Sequence, residues 1–178
     1  MTTTSATTFR MVDSPLEDIL LRAADGALTG VFFAGQKYYP PGIDAAVLQA
    51  TGAADARVFD QAAEELEAYF AGTLQTFRVP VRFAGSTFQR EVWQALRDIA
   101  FGGTVSYGEL AASLNLPSSH ARAVGGAVGR NPLSVVVPCH RVLGASGALT
   151  GYAGGVDRKR ALLGLEGVPA LARHPLHQ

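Results

Sequence analysis

Two capping boxes fix where the second half of this chain starts its helices. Ser86 stands three residues before Gln89, and Ser106 three before Glu109. In each pair the hydroxyl and the longer side chain satisfy free backbone N–H groups reciprocally at a helix N-terminus. The first box opens FQREVWQALRDIA, in which Phe88, Val92, Leu96 and Ile99 supply a buried stripe and Gly102-Gly103 the end. The second opens GELAASLNL; Pro117 breaks that helix, and Ser118-Ser119 offer caps for the next, HARAVGGAVGR. Two short helices joined by a tight turn predict a helix-turn-helix.

The first half follows another period. SPLEDILLRAADGALTGVFF carries Asp25-Gly26 between two apolar runs, the signal for a β-hairpin closed by a tight turn. RVFDQAAEELEAYFAG sets Phe59, Ala62, Ala63, Leu66, Tyr69 and Phe70 on one helical face with Gly72 as the stop, and FRVPVRF reads as a strand. No residue of this half has an obvious chemical role. The expected fold is therefore α/β, in the α+β sense. A tail covers 1–9 and a small N-terminal α/β unit with an antiparallel sheet covers 10–80. A mainly helical C-terminal domain with the helix-turn-helix and an active-site cysteine covers 81–170, and 171–178 form a second tail.

Composition removes several classes. Hydrophobic residues make up 48% and charged residues 17%, as in a globular chain. No run approaches the roughly 18 apolar residues a membrane helix needs, and MTTTSATTF lacks the pattern of a secretory signal, so a cytoplasmic protein without membrane contact is expected. The single cysteine excludes an internal disulfide, and no Cys/His cluster with zinc spacing surrounds it, so no metal is expected.

The net charge is zero but unevenly placed. Residues 1–100 carry eight Lys and Arg against twelve Asp and Glu, and residues 101–178 carry seven against three. Between Pro117 and Arg160 the cations Arg122, Arg130, Arg141, Arg158, Lys159 and Arg160 are opposed only by Asp157. They are either solvated surface charge or a field that draws an anionic ligand. The helix among them is unusual. Ala121, Ala123, Gly125, Gly126 and Ala127 present almost nothing to a base edge, and Arg122 is the exception. A glycine inside a helix costs about 1 kcal/mol relative to alanine. Consecutive glycines therefore point to a close backbone approach, either by a neighbouring helix or by a minor groove.

VVVPCHRVLG, residues 135–144, holds the lone cysteine. A thiol of ordinary pKa, near 8.5, is mostly protonated at neutral pH unless a base or a cation is close, and His140 is the adjacent base. Neighbours in an extended strand point to opposite faces. Cys139 and His140 therefore communicate only if the chain turns there, which Pro138 makes plausible, or if a water bridges them. An inert buried cysteine is the alternative.

PCHRV after an apolar strand, preceded by SYGELA and ARAVGGAVGRNP and followed by GASGALTGYAGGVDRKRALLGLEG, resembles the O6-alkylguanine-DNA alkyltransferases. The strong likeness spans about Thr87 to Gly167, and DSPL with DGALTGVFF is similar to the opening hairpin of bacterial members. The resemblance implies direct-reversal repair of duplex DNA bound through its minor groove. O6-alkylguanine, and O4-alkylthymine with it, is flipped out, and the alkyl group passes irreversibly to Cys139, once per molecule and with no cofactor. By this likeness His140 is a water-linked base, Glu166 the carboxylate that orients it, and Tyr107 helps turn the target phosphate and protonate the departing guanine. Arg122 is a finger filling the stack, with Ala121, Ala123, Gly125 and Gly126 around it. Asn131 joins the DNA-binding helix to the active-site strand. Tyr152, Ala153 and Gly154 close the alkylguanine pocket, with Val142 opposite and Lys159 nearby.

The likeness further implies a monomer, with clustering on DNA left open. Two departures stand out: the segment between Tyr107 and Arg122 is one residue longer than the family pattern, and Ala153 replaces a serine of some relatives, leaving only its backbone N–H for the O6 atom. A helix-turn-helix regulator without chemistry and a cysteine hydrolase are the rival classes. Neither accounts for the glycine-rich helix, Arg122 and Cys139 occurring together.

Overall fold

The structure is a computed structural model that describes residues 6–49 and 53–168. The expected tails fall largely outside the described residues, at 1–5 and 169–178. Thr8 and Phe9, assigned to the first tail, are instead strand residues. The chain divides into two compact units, one of Met1–Ala84 with Pro132–Val136 and one of Gly85–Asn131 with Val137–Gln178. No described helix is long and apolar enough to cross a membrane.

The first unit is built on three antiparallel strands in the order β1 (Thr8–Val12), β2 (Ile19–Ala24), β3 (Ala27–Phe33). Asp25 and Gly26 both adopt positive φ, 52° and 75°, so the expected tight turn has the signs of a two-residue type I′ hairpin loop. Strand β1 begins at Thr8 because Thr8 pairs with Ala23 and its hydroxyl donates to the Asp55 carboxylate at 2.6 Å. The same carboxylate accepts the Gly26 N–H at 3.0 Å and so holds the hairpin tip.

Two helices follow, α1 (Ala45–Gln49) and α2 (Ala53–Phe70). Helix α2 packs Phe59, Ala62, Leu66 and Tyr69 against the sheet, whereas Ala63 and Phe70 at the edge of the expected stripe are half-buried. FRVPVRF is not a strand. It bends at Val79 and makes one bridge, Val81 to Leu28, because Pro80 has no N–H and supplies only its carbonyl, to the Leu28 N–H at 2.8 Å. Pro132–Val136 joins this unit through the backbone bonds Val31 N–H to Pro132 O, 2.8 Å, and Ser134 N–H to Val31 O, 3.2 Å.

The second unit is mainly helical. Its helices α3 (Thr87–Leu96) and α4 (Tyr107–Ser113) start at Ser86 and Ser106, and both capping boxes are complete, with each hydroxyl accepting the N3 amide and each N3 side chain returning to the cap. Helix α3 stops at Leu96 and leaves Ile99 and Gly102-Gly103 in turns, although Ile99 remains buried. Helix α4 ends in a Schellman arrangement. Asn115 takes φ 60°, the Leu116 N–H bonds Ala111 O at 3.0 Å, and the Asn115 N–H bonds Ala112 O at 3.0 Å.

A 3₁₀ turn, Ser118–His120, leads into α5 (Ala121–Gly129). Ser118 and Ser119 therefore cap nothing; they are consumed in the turn itself. Trp93 binds α3 to α5 by donating its indole N–H to Ala127 O at 2.8 Å. A short parallel pair, β4 (Val105–Ser106) with β5 (Val142–Leu143), and helix α6 (Val156–Leu165) complete the unit.

Candidate active site

The apolar run ahead of Cys139 is not a strand. The Val136 N–H turns back onto Ser134 O and the Cys139 N–H onto Val137 O, both at 2.8 Å, so these donors are spent two residues away. Val135 is the centre of the first of these turns, at φ 70°, a region that β-branched residues rarely enter. Pro138 is the centre of the second tight turn. Cys139, His140 and Arg141 then form one 3₁₀ turn, all buried. With three residues per turn, successive side chains diverge by about 120° rather than 180°, which removes the geometric objection to Cys139 and His140 sharing one site.

Glu166, which caps α6, points back into this turn. Its Oε2 lies 2.7 Å from His140 Nε2, and both side chains are fully buried. Arg141 grips the same carboxylate with a fork: Nε donates to Oε1 at 2.7 Å and Nη2 to Oε2 at 3.0 Å. The third arm of the guanidinium, Nη1, donates to Ile99 O at 2.6 Å. His140 Nδ1 is buried, and no protein group among the described residues hydrogen-bonds it. Burial holds the His140 pKa below its usual value, and Arg141 and Lys159 add to that, against an opposing pull from Glu166. The imidazole is therefore neutral at rest, with a nitrogen available to accept a proton.

Burial pushes the Cys139 thiol up to about 11, against smaller opposing effects from an Asn131 hydrogen bond and the charge of Lys159. The resting thiol is protonated, so a base must act before it can attack. Lys159 is fully buried and burial pulls its ammonium down to about 8. It donates to Val142 O at 2.6 Å and Thr150 O at 2.7 Å, joining β5 to the loop that carries Tyr152, Ala153 and Gly154. Tyr107, the first residue of α4, bonds the Thr150 side chain; burial raises its phenol, and Cys139 raises it further.

On α5 only part of the expected small-residue surface faces outward, and Ala127, counted in it, does not. Arg122, Ala123 and Gly126 are exposed, Ala121 and Gly125 half-buried, while Val124, Ala127 and Val128 face the interior. A methyl group at Gly125 would lie 3.5 Å from the Tyr107 ring, whereas one at Gly126 would meet nothing within 4 Å. A neighbouring helix thus does not account for Gly126. Asn131, which the resemblance sets between the DNA-binding helix and the active-site segment, is buried just after α5; its amide donates to Val137 O at 2.9 Å and bonds Cys139, which puts it in the thiol's surroundings. Arg141 and Lys159, counted among the basic residues of an anion-drawing surface, are interior as well. Sequence reading missed the role of Arg141 and of Thr150. The one signal for the first was a cation directly after the histidine in a stretch poor in carboxylates, residues 101–178 holding only Glu109, Asp157 and Glu166.

A helix-turn-helix backed by a buried cysteine, histidine and carboxylate defines a class, a DNA-binding fold with a thiol site. The comparisons specify it further. Residues 8–83 match the family model described as 6-O-methylguanine DNA methyltransferase, ribonuclease-like domain, and residues 87–168 match that of the DNA binding domain. A methylated-DNA–protein-cysteine methyltransferase of Mycolicibacterium paratuberculosis is 48% identical over 159 residues, covering 89% of this chain and 91% of that one. The crystal structure of the Mycobacterium tuberculosis O6-methylguanine methyltransferase is 41% identical with a TM-score of 0.76, covering 96% of each chain. The M. tuberculosis protein has also been solved in complex with DNA, at the same identity and TM-score, over 95% of this chain and 96% of that one. The chain belongs to the methylated-DNA–protein-cysteine methyltransferase family.

Proposed function

We propose that Cys139 is the alkyl acceptor in the repair of O6-alkylguanine, and of O4-alkylthymine, in duplex DNA. The activity, direct reversal of DNA alkylation by transfer to a protein cysteine, comes with the family. The observation that carries the assignment is the Glu166–His140 contact at 2.7 Å, beside a buried His140 Nδ1 with no protein partner among the described residues, one residue from the thiol. The Cys139 proton passes through a water to Nδ1, and the imidazolium is stabilised by Glu166. The thiolate attacks the alkyl carbon in line; the C–S bond forms as the C–O6 bond breaks, and guanine leaves with the electron pair. Tyr107, bonded to Thr150 and close enough to feel the charge of Cys139, supplies a proton to the leaving base. The thioether has no route to hydrolysis, so each molecule acts once.

Reaching the alkyl carbon requires the nucleotide to leave the stack. Helix α5 supports entry by the minor groove: its exposed positions are small, so the backbone can approach the sugars, and Arg122 projects from them to fill the gap. The loop of Tyr152, Ala153 and Gly154, tied by Lys159 to Val142, walls the guanine. A monomer in the cytoplasm, with access to chromosomal DNA, fits this role.

Intact-mass spectrometry after incubation with O6-methylguanine duplex DNA should show one methyl group per chain, on the peptide containing Cys139, and none for Cys139→Ser. More than one product per chain, or activity recovered on standing, would contradict the single-use assignment.

A further inference from the structure

We propose that Arg141 is a positioning residue that makes His140 a base: by holding Glu166 as a carboxylate, its guanidinium fixes the imidazole proton on Nε2 and leaves the lone pair on Nδ1. This rests on the reading of Cys139 and His140 as nucleophile and base given above.

The groups that face the Glu166 carboxylate carry it. Oε1 receives Arg141 Nε at 2.7 Å and the Gly102 N–H at 3.4 Å; Oε2 receives Arg141 Nη2 at 3.0 Å and lies 2.7 Å from His140 Nε2. Guanidinium and backbone amide are donors only. A proton on Oε1 would therefore point at an N–H group, and one on Oε2 would neutralise the charge with which the guanidinium fork is paired. The carboxyl stays ionised, an ionised carboxyl only accepts, and Nε2 must carry the hydrogen. In a neutral imidazole the other nitrogen is then bare.

Without the fork the logic reverses. A carboxyl with a fully buried side chain drifts toward its neutral acid, because desolvation disfavours the charged form. A neutral acid donates its own O–H to Nε2, the imidazole proton moves to Nδ1, and the nitrogen available to Cys139 can no longer accept. Lysine would not replace arginine here, since an ammonium is a point donor and cannot span both oxygens. Ile99 O at 2.6 Å from Nη1 and the Phe101 ring, 5.8 Å from the guanidinium carbon, keep the fork in register with the carboxylate.

Three measurements test it. In the unmodified protein without DNA, nitrogen NMR of His140 should show the neutral Nε2–H tautomer; an Nδ1–H tautomer overturns the proposal with no variant and no substrate. Arg141→Gln should move His140 toward Nδ1–H and slow single-turnover methyl transfer about 100-fold, within the range seen when a histidine is held in the wrong tautomer or loses its outer partner. Arg141→Lys, which keeps the charge and is the variant to use should the glutamine chain not fold, should do the same to a smaller degree. In a Glu166→Gln background, Arg141→Gln should add less than about threefold, because the two act through one path. Fully additive losses, or a slow variant with an unchanged tautomer, would reduce Arg141 to an anchor for Ile99. Failure of the unmodified protein to methylate Cys139 would strike the function, not the tautomer result.

Discussion

The two units bury polar groups for different purposes. In the first, Thr8, Gln36, Asp55 and Ser134 are buried, and their bonds end on turns and strand ends: Asp55 on the Gly26 N–H, Gln36 Oε1 on the Phe33 N–H at 2.8 Å, Ser134 on Gln36. They shape the backbone. In the second, Cys139, His140, Arg141, Lys159 and Glu166 are buried within one stretch of chain. Interior charges recover their lost hydration only with near-ideal partners, and well-packed apolar residues of similar volume are often at least as stable. A unit that keeps five ionisable side chains inside is giving up stability for reactivity, as active sites do. One unit is a folding problem solved, the other a chemical one.

That contrast breaks most visibly through stability. Leu66 is 3% exposed in the core of the first unit, and Leu66→Ala should cost about 2–5 kcal/mol in urea unfolding. The rate of methyl transfer per folded molecule should not change. A rate that falls with the stability would mean the first unit takes part in the chemistry. Within the second unit, Arg122→Ala separates the surface from the buried relay. Unstacking a base costs a few kcal/mol, so transfer from duplex DNA should drop about 100-fold once the plug is gone. Transfer from free O6-benzylguanine, which needs no flipping, should stay within about twofold. Equal losses on both substrates would assign Arg122 to the pocket or the fold.

Local signals were legible and long-range ones were not. The Asp25-Gly26 turn and the two capping boxes are written in adjacent residues, and each is observed as read. FRVPVRF read as a strand because its alternation is strand-like, yet a strand needs a ladder partner on both donors and acceptors, and Pro80 supplies half of one. VVVP misled in the same way. Its apolar residues are buried, as expected, but burial does not require extension, and local bonds from Val136 and Cys139 turned the run into successive tight turns. At the site, the pairing of His140 with Glu166 came from the likeness to a family; nothing in their spacing of 26 residues announces it. Arg141 was visible only as charge. Whether a cation is solvated or buried depends on which carboxylate the fold brings to it, and that is tertiary information.

The smallest expected effect concerns pH, and it asks whether the second unit's buried groups carry the stability penalty claimed for them. His140 titrates near 6.5 when unfolded, and burial lowers it in the fold. Below 6.5 the unfolded chain takes up a proton that the folded chain refuses, so this contribution is lost as pH falls through that value and is constant above it. At the alkaline side two groups oppose each other. Lys159 is lowered from 10.5 to about 8, so the unfolded chain holds the extra proton between those values and stability rises with pH. Cys139 is raised from 9.0 to about 11, so the folded chain holds it there and stability falls. The net curve should rise from pH 8 to 9 and flatten toward 10.5. Measured as a difference from Cys139→Ala, so that groups away from the thiol cancel and Lys159 does so in large part, the thiol contribution should decline from pH 9 to 11. In the variant alone, the Lys159 rise should continue past 9, pulled somewhat lower because the thiolate that raises Lys159 is gone. A flat difference across that window would mean the thiol is not held protonated in the folded protein, and the need for a base to activate it, on which the Glu166–His140 relay depends, would fall with it.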